Sequence, residues 1–100
     1  WGTFRVIDAQ PGSLTVRIDL DAGKQMKYHA HELRDEVWTV ISGTGRSIVD
    51  GMEQIVRPGD VISIAAGCRH TIMAQTPLSL VEIQVGDEIS ETDKTVYDMP

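Results

Sequence analysis

The chain has 100 residues, of which 41% are hydrophobic and 24% are charged, and its formal net charge is −6. This size and composition predict one globular domain over residues 1–100, with a hydrophobic core large enough to be stable without cross-links. The acidic charge is spread along the chain without a basic stripe, which argues against nucleic acid as a partner.

The single cysteine, Cys68, cannot form an internal disulfide, and no apolar run approaches the length of a membrane span. We therefore expect a cytoplasmic protein with no membrane partner. The sequence opens with Trp1-Gly2 and no initiator methionine. We expect it to be trimmed from a longer chain.

Short segments with alternating apolar residues follow one another along the chain and predict β-strands. No segment has a convincing helical period, so we expect an all-β antiparallel sandwich or small barrel. Asp50-Gly51 predicts a type I′ hairpin turn, and the polar segment after Gly86 predicts a loop or a short helical turn. The predicted strands are Thr3–Ile7, Leu14–Leu20, Gln25–His31, Glu36–Ile41, Arg46–Val49, Met52–Val56, Val61–Ile64, Arg69–Ala74 and Leu80–Val85. Trp38 and Phe4 lie in apolar alternations and are predicted to be core residues.

All three histidines of the chain, together with one glutamate, form a candidate metal site. His29 and His31 are two residues apart, and residues i and i+2 of a strand point to the same face. Glu36 follows five residues later, and His70 lies far downstream. Imidazole and carboxylate ligands suit a divalent transition metal such as Zn, Mn, Fe or Ni, and such a set leaves a coordination position open.

The spacing of these residues and of several glycines resembles the cupin superfamily. The first cupin motif, G-x5-H-x-H-x4-E-x6-G, is matched in full by Gly23, His29, His31, Glu36 and Gly43. The second motif is matched at Gly59, Gly67 and His70, with Ala65 and Ala74 in place of its proline and asparagine. The resemblance implies a small jelly-roll barrel that holds a metal through His29, His31, Glu36 and His70.

A narrower resemblance covers almost the whole chain and points to the type II phosphomannose isomerase cupin domain, which often forms the C-terminal part of bifunctional mannose-1-phosphate guanylyltransferases. It is carried by Trp1-Gly2-x-Phe4, by the segment from His31 through Arg34 and Trp38 to Gly43, and by the segment from Pro77 to Gly86. The chain departs from that family at His29, where glutamine is usual, and in its ending. The resemblance implies interconversion of mannose 6-phosphate and fructose 6-phosphate.

Such an isomerase needs a base near the carbon acid and a cation for the phosphate of its substrate. Arg34 occupies the position of the family's arginine, and we assign it to phosphate or to charge stabilisation, with a rim salt bridge to Asp35 or Glu32 as the alternative. Lys27 shares parity with His29 and is the next candidate for phosphate contact or proton transfer, or else a solvated side chain. Glu82 and Gln84 either line the mouth of the cavity or form the solvent face of an edge strand.

Two other functions fit the same residues. An Fe(II)-dependent dioxygenase could use a site of three histidines and one glutamate equally well. A non-catalytic sugar-binding or regulatory cupin would bind its ligand without turnover. We also expect a homodimer, because the edge strands of an open antiparallel sandwich need cover.

Overall fold

The structure is a computed structural model that describes residues 1–100. It contains ten strands in two five-stranded antiparallel sheets, and the prediction of an all-β fold is confirmed. The strands are β1 (Gly2–Gln10), β2 (Ser13–Leu20), β3 (His29–Ala30), β4 (Asp35–Ser42), β5 (Gly45–Val49), β6 (Met52–Val56), β7 (Val61–Ile64), β8 (His70–Ala74), β9 (Leu78–Val85) and β10 (Thr95–Val96). The first sheet has the order β1-β2-β9-β4-β7, and the second has the order β10-β3-β8-β5-β6.

The period-2 patterns of the sequence decide which side of each strand faces the interior. In β2, Val16, Ile18 and Leu20 are buried while the residues between them are only partly covered. The turn between β5 and β6 is the predicted hairpin, with φ of 48° at Asp50 and 80° at Gly51. Positive φ at both central residues is what a type I′ turn requires, and glycine adopts it without steric cost.

The hydrophobic core fills the space between the two sheets and is centred on residues from β2, β4, β8 and β9. Trp38 is fully buried, as predicted. Phe4 is 54% exposed, so its prediction as a core residue was wrong. It lies on β1, an edge strand all of whose residues are exposed, and edge strands are covered on one side only. The buried apolar cluster comprises Val16, Ile18, Leu20, Met26, Trp38, Val40, Val56, Ile62, Ile64, Ile72, Ala74, Leu78 and Leu80.

The strand predicted over Gln25–His31 is reduced to His29–Ala30, apart from an isolated bridge between Gln25 and Met73. Backbone groups between Gln25 and His29 make hydrogen bonds outside a strand ladder: the Met26 carbonyl accepts one from the Thr71 hydroxyl at 2.6 Å. Strand β10 was not predicted, because its polar sequence shows no alternation. It forms by pairing of Thr95 with Ala30 and Val96 with His29.

The segment between Gly86 and β10 contains a turn in which the Asp93 amide donates to the Ser90 carbonyl, and no helix forms there. No α-helix suited to crossing a lipid bilayer occurs in the structure. Strands β1 and β7 are the edges of one sheet, and β10 and β6 are the edges of the other. The strand edges assumed by the homodimer prediction are therefore present, and the dimer itself stays a prediction.

Candidate metal centre

The structure brings His29, His31, Glu36 and His70 together at one end of the barrel interior. His29 on β3 lies opposite His70 on β8, and His31 follows directly after β3. The ring centroids of His29 lie 4.8 Å from His31 and 4.3 Å from His70. One ligand atom from each of the three buried imidazoles lies within 4.8 Å of the others. Three such nitrogens in one small space could hold a metal ion.

Each of the three histidines has its Nδ1 next to a backbone carbonyl oxygen. His29 Nδ1 lies 2.5 Å from the Lys27 oxygen, His31 Nδ1 lies 2.5 Å from the Asp93 oxygen, and His70 Nδ1 lies 2.9 Å from the Cys68 oxygen. A carbonyl oxygen can only accept, so each Nδ1 carries the proton and donates it. In the neutral rings, Nε2 then carries the lone pair, which is the form that a metal requires.

Glu36 on β4 faces the histidines from the opposite sheet. Its Oε2 lies 3.3 Å from His31 Nε2, and its Oε1 lies 3.2 Å from His70 Nε2. The second distance is a hydrogen bond only if His70 carries protons on both nitrogens. With Nδ1 as the donor to Cys68 and a neutral ring, Glu36 Oε1 and His70 Nε2 are two acceptors facing each other.

These two atoms are the test of whether a metal fits. Glu36 Oε1 and His70 Nε2 are both buried and have no hydrogen-bond partner. Buried acceptors without a donor cost free energy, and a shared cation satisfies both at once. Nitrogen and carboxylate donors of this kind are typical ligands of divalent transition metals. The residues therefore fit the metal that the sequence analysis anticipated, without selecting its identity.

The environment favours the metal-binding protonation states of His29, His31 and Glu36 near neutral pH. Burial lowers the pKa of His29 to about 4, and burial also lowers the pKa of His31. Burial alone would raise the pKa of Glu36, but its contacts with His70, His31 and Arg34 hold it at about 2. Neutral imidazoles beside an ionised carboxylate are the combination that coordinates metals.

Arg34 lies against this cluster and not at the rim. Its Nε donates to Glu36 Oε2 at 2.9 Å, and its Nη2 lies 3.0 Å from the lone-pair nitrogen of His31. The side chain is only 10% exposed. The alternative of a rim salt bridge to Asp35 or Glu32 is therefore wrong, because the guanidinium satisfies the buried Glu36 carboxylate.

A cavity of about 700 Å³ opens beside the histidines. Its lining combines apolar residues, such as Phe4, with the polar side chains of His29, His31 and Arg34. Lys27 lines the same cavity, although the regular strand on which its predicted parity with His29 depended does not form there, and its side chain is also exposed to solvent. Lys94 is a further cation of this cavity, and its charge helps to lower the pKa of His29.

Glu82 and Gln84 are buried residues of the cavity wall. They lie on β9, which is paired on both sides by β2 and β4, so the expectation of a solvent-facing edge was wrong. Glu82 accepts hydrogen bonds from Trp38 Nε1 at 2.7 Å and from Gln84 Nε2 at 2.7 Å. Burial and the negative charge of Glu36 raise the pKa of Glu82 to about 7. A carboxyl group that exchanges a proton near neutral pH is suited to proton transfer.

Two residues of the site were missed by sequence reasoning. The carbonyl of Asp93 accepts a hydrogen bond from His31 Nδ1, and Lys94 lines the cavity. Both lie in an acidic, aperiodic segment that carries no strand signal. Nothing in the local sequence shows that this segment folds back 60 residues along the chain onto the histidines.

The comparison with known families agrees with this geometry. The family described as mannose-6-phosphate isomerase C-terminal matches residues 1–98. The chain belongs to this family. A relative from Vibrio cholerae named putative mannose-1-phosphate guanylyltransferase is 32% identical over 95 residues, which are 93% of this chain and 20% of that protein. The chain thus spans about one fifth of the length of the curated relatives that it matches.

Solved structures show the same fold for this member of the family. A double-stranded β-helix protein from Klebsiella pneumoniae superposes with a TM-score of 0.85 at 20% identity, covering 98% of this chain and 85% of that one. An RmlC-like cupin from Shewanella frigidimarina superposes with a TM-score of 0.81 at 21% identity, covering 89% and 78%. The predicted cupin jelly roll is confirmed.

Proposed function

We propose that this domain is a metal-dependent sugar-phosphate isomerase that interconverts mannose 6-phosphate and fructose 6-phosphate or close analogues. One observation carries the proposal: two of the four metal-type donors, His29 and His31, line a cavity that also holds three cations and a buried carboxyl group. Isomerisation of a sugar phosphate uses a metal, cations for the phosphate and a group that transfers a proton. Membership of the mannose-6-phosphate isomerase C-terminal family supports the choice of hexose.

His29, His31, Glu36 and His70 would hold the metal, whose contribution is to polarise the carbonyl and the neighbouring hydroxyl as negative charge develops on oxygen. The fixed Nδ1–H bonds to Lys27, Asp93 and Cys68 keep the three rings from turning away. Orientation of the ligands before the substrate arrives removes reorganisation from the reaction itself.

Lys27, Lys94 and Arg34 supply positive charge to the cavity of a chain whose net charge is −6. We assign Lys27 and Lys94 to the phosphate group of the substrate, because both line the cavity and both are exposed to solvent. Arg34 is already bound to Glu36 and is assigned to the developing negative charge near the metal site. A phosphate held at a distance from the reacting carbons keeps the sugar in register for proton transfer.

Isomerisation moves a proton between two adjacent carbons through an enediol. Glu82 is the buried carboxyl group of the cavity wall, and we assign this transfer to it. Each of its oxygens accepts one hydrogen bond, from Trp38 or from Gln84, and retains a further lone pair. These two donors also fix the carboxyl plane, and burial excludes competing water.

The test is an isomerase assay on the metal-loaded protein with mannose 6-phosphate and fructose 6-phosphate. We expect turnover that a chelator abolishes, and a loss of at least about 100-fold in kcat/KM for Arg34→Ala. Arg46→Ala is the matched control, because Arg46 is an exposed arginine that also pairs with a glutamate. Absence of turnover on any hexose phosphate, with unchanged sugar-phosphate affinity in Arg34→Ala, would refute the proposal.

An Fe(II)-dependent dioxygenase is the second candidate, since three histidines and one glutamate suit iron as well as zinc. Fold similarity to a salicylate 1,2-dioxygenase from Pseudoaminobacter salicylatoxidans, with a TM-score of 0.74 at 19% identity over 78% of this chain and 23% of that one, shows that the scaffold is shared. Oxygen consumption with iron, and none with zinc or manganese, would favour this alternative. Sugar-phosphate binding without turnover under any metal would favour a non-catalytic binding module.

A further inference from the structure

The four residues that connect β3 to β4, residues 31–34, carry both His31 and Arg34 and belong to no strand. Without a β-ladder, the loop must find other partners for its backbone groups. Two of its amides meet the same side chain: Glu32 N donates to Asp93 Oδ1 and Leu33 N donates to Asp93 Oδ2, both at 2.9 Å. The Asp93 carboxylate therefore binds two consecutive amides of this loop.

The main chain of Asp93 makes a third contact with the same loop. Its carbonyl oxygen accepts a hydrogen bond from His31 Nδ1 at 2.5 Å. Two and three residues after Asp93, Thr95 and Val96 pair with Ala30 and His29. This pairing fixes the position of Asp93 next to the loop. One residue thus holds both the backbone that carries His31 and the imidazole itself.

The opposite side of the loop is held by backbone groups that no side-chain substitution removes directly. The Gly67 amide donates to the His31 carbonyl at 2.7 Å. Gly86 packs so closely that an added Cβ would lie 2.4 Å from the Leu33 carbonyl oxygen. Asp93 is the third support, and it is the one that depends on a side chain.

We propose that Asp93 is the positioning residue of this centre: its carboxylate clamps the 31–34 loop, and so keeps His31 Nε2 and Arg34 directed at Glu36. The inference rests on the proposed metal site for its functional meaning and on the three hydrogen bonds for its structural one. Ionised acceptors make hydrogen bonds about twice as strong as neutral ones. A carboxylate is the side chain that can accept from two neighbouring amides at once, whereas an amide has one acceptor oxygen.

Loss of the clamp has a defined consequence for His31. Once the Glu32 and Leu33 amides are free, the loop and residues 90–94 separate while β10 stays paired with β3, and His31 Nδ1 loses its acceptor. The ring then exchanges between its two tautomers, and only one of these offers Nε2 as a lone pair. Partners that orient a ligand histidine in this way change metal affinity by about 10–100-fold when they are removed.

The experiment compares Asp93→Ala and Asp93→Asn with Asp98→Asn. Asp98 is an exposed aspartate just after β10, and its substitution changes the net charge by the same amount. Amide hydrogen exchange at Glu32 and Leu33 and the ¹⁵N shifts of the His31 ring are measured on metal-free protein. Zn²⁺ affinity is measured by calorimetry. We expect exchange at least about tenfold faster in Asp93→Ala, mixed tautomers for His31, and Zn²⁺ binding about 10–100-fold weaker.

Asp93→Asn preserves the shape of the side chain and decides the matter if the alanine variant does not fold. We expect it to release one of the two amides and to weaken Zn²⁺ binding less than Asp93→Ala does. If Asp93→Asn matches Asp98→Asn in exchange, tautomer and affinity, the proposal is overturned. If the wild-type protein binds no Zn²⁺ or other divalent metal, the isomerase proposal fails, while exchange and tautomer still decide the role of Asp93.

Discussion

The two ends of the barrel interior differ in chemistry although the same strands build both. At one end Val40 on β4 lies opposite Leu80 on β9, and both are fully buried among apolar side chains. At the other end of the same pair of strands, Glu36 lies opposite Gln84. Between them Trp38 lies opposite Glu82 and donates its indole proton to it.

This difference shows how a small β-protein divides its interior between stability and chemistry. The period of 2 determines which residues point inward, and position along the strand determines whether they meet the core or the cavity. Trp38 seals the boundary, since its ring packs against the core on one side and lies 5.5 Å from the His70 ring on the other. We expect substitutions at the apolar end to affect stability, and substitutions at the polar end to affect binding and pH dependence.

The largest expected effect breaks the apolar end. Leu80→Ala should lower the free energy of unfolding by about 2–5 kcal/mol, because it leaves a cavity beneath Trp38 and Val40 that close-packed strands cannot fill. Urea unfolding of the metal-free protein measures this. Val85→Ala, on the exposed face of the same strand, is the control and should change stability by less than about 1 kcal/mol. Equal losses in the two variants would contradict the division described above.

The second prediction concerns pH and the buried Glu82. Its folded-state pKa of about 7 exceeds its ordinary value of 4.5, so the stabilisation of its protonated form is fully present below pH 4.5 and is lost as pH rises through 7. Glu82→Gln removes that loss, and Gln84, whose Oε1 is unpaired, can turn its amide to accept from the new side chain. The variant should therefore gain up to about 3 kcal/mol on wild type between pH 4.5 and pH 7.

Thermal or urea unfolding across this pH range, with chelator present, measures the difference between the two proteins. Subtraction cancels the opposing contributions of His29 and His31, whose lowered pKa values destabilise the folded state as pH falls below 6.5. A pH-independent difference would mean that Glu82 is ionised throughout the range.

The third prediction tests the polar end directly. His70→Asn removes one imidazole nitrogen and should weaken Zn²⁺ or Mn²⁺ binding by at least about 100-fold. Stability of the metal-free protein should fall less than in Leu80→Ala, because the wild-type site contains unpaired acceptors. Calorimetric titration checks the affinity. In wild type, metal at 100 times its Kd should add about 2.7 kcal/mol of apparent stability, and at the same metal concentration this gain should fall to about 0.4 kcal/mol or less in the variant.

The smallest effect comes from the outer surface. Arg46 and Glu53 form an ion pair at 3.1 Å with both side chains about half exposed, whereas Arg34 and Glu36 form theirs at 2.9 Å in the interior. Arg46→Ala should cost less than about 1 kcal/mol, and less still in high salt, because water and ions screen exposed pairs. Chemical denaturation at two ionic strengths measures this. A cost similar to that of Arg34→Ala would show that burial does not distinguish the two pairs.

Much of the fold could be predicted because its signals are local. Alternation along Leu14–Leu20 and Glu36–Ile41 placed β2 and β4 within one or two residues of their bounds. Asp50-Gly51 predicted the hairpin turn, because these two residues favour its backbone conformation whatever the rest of the fold. The order and spacing of His29, His31, Glu36 and His70 predicted a cluster that the structure does bring together.

The sequence by itself determined the β-period, the turns and the residue types available for a metal, because each depends on neighbours a few positions apart. Only the tertiary structure decided that Glu82 is buried beside Trp38, that Phe4 lines a cavity, and that Asp93 supports His31. The physical reason is that burial, pKa and the Asp93 partner of His31 Nδ1 are set by the tertiary arrangement of the strands. That arrangement joins residues more than 40 positions apart, and no local pattern records it.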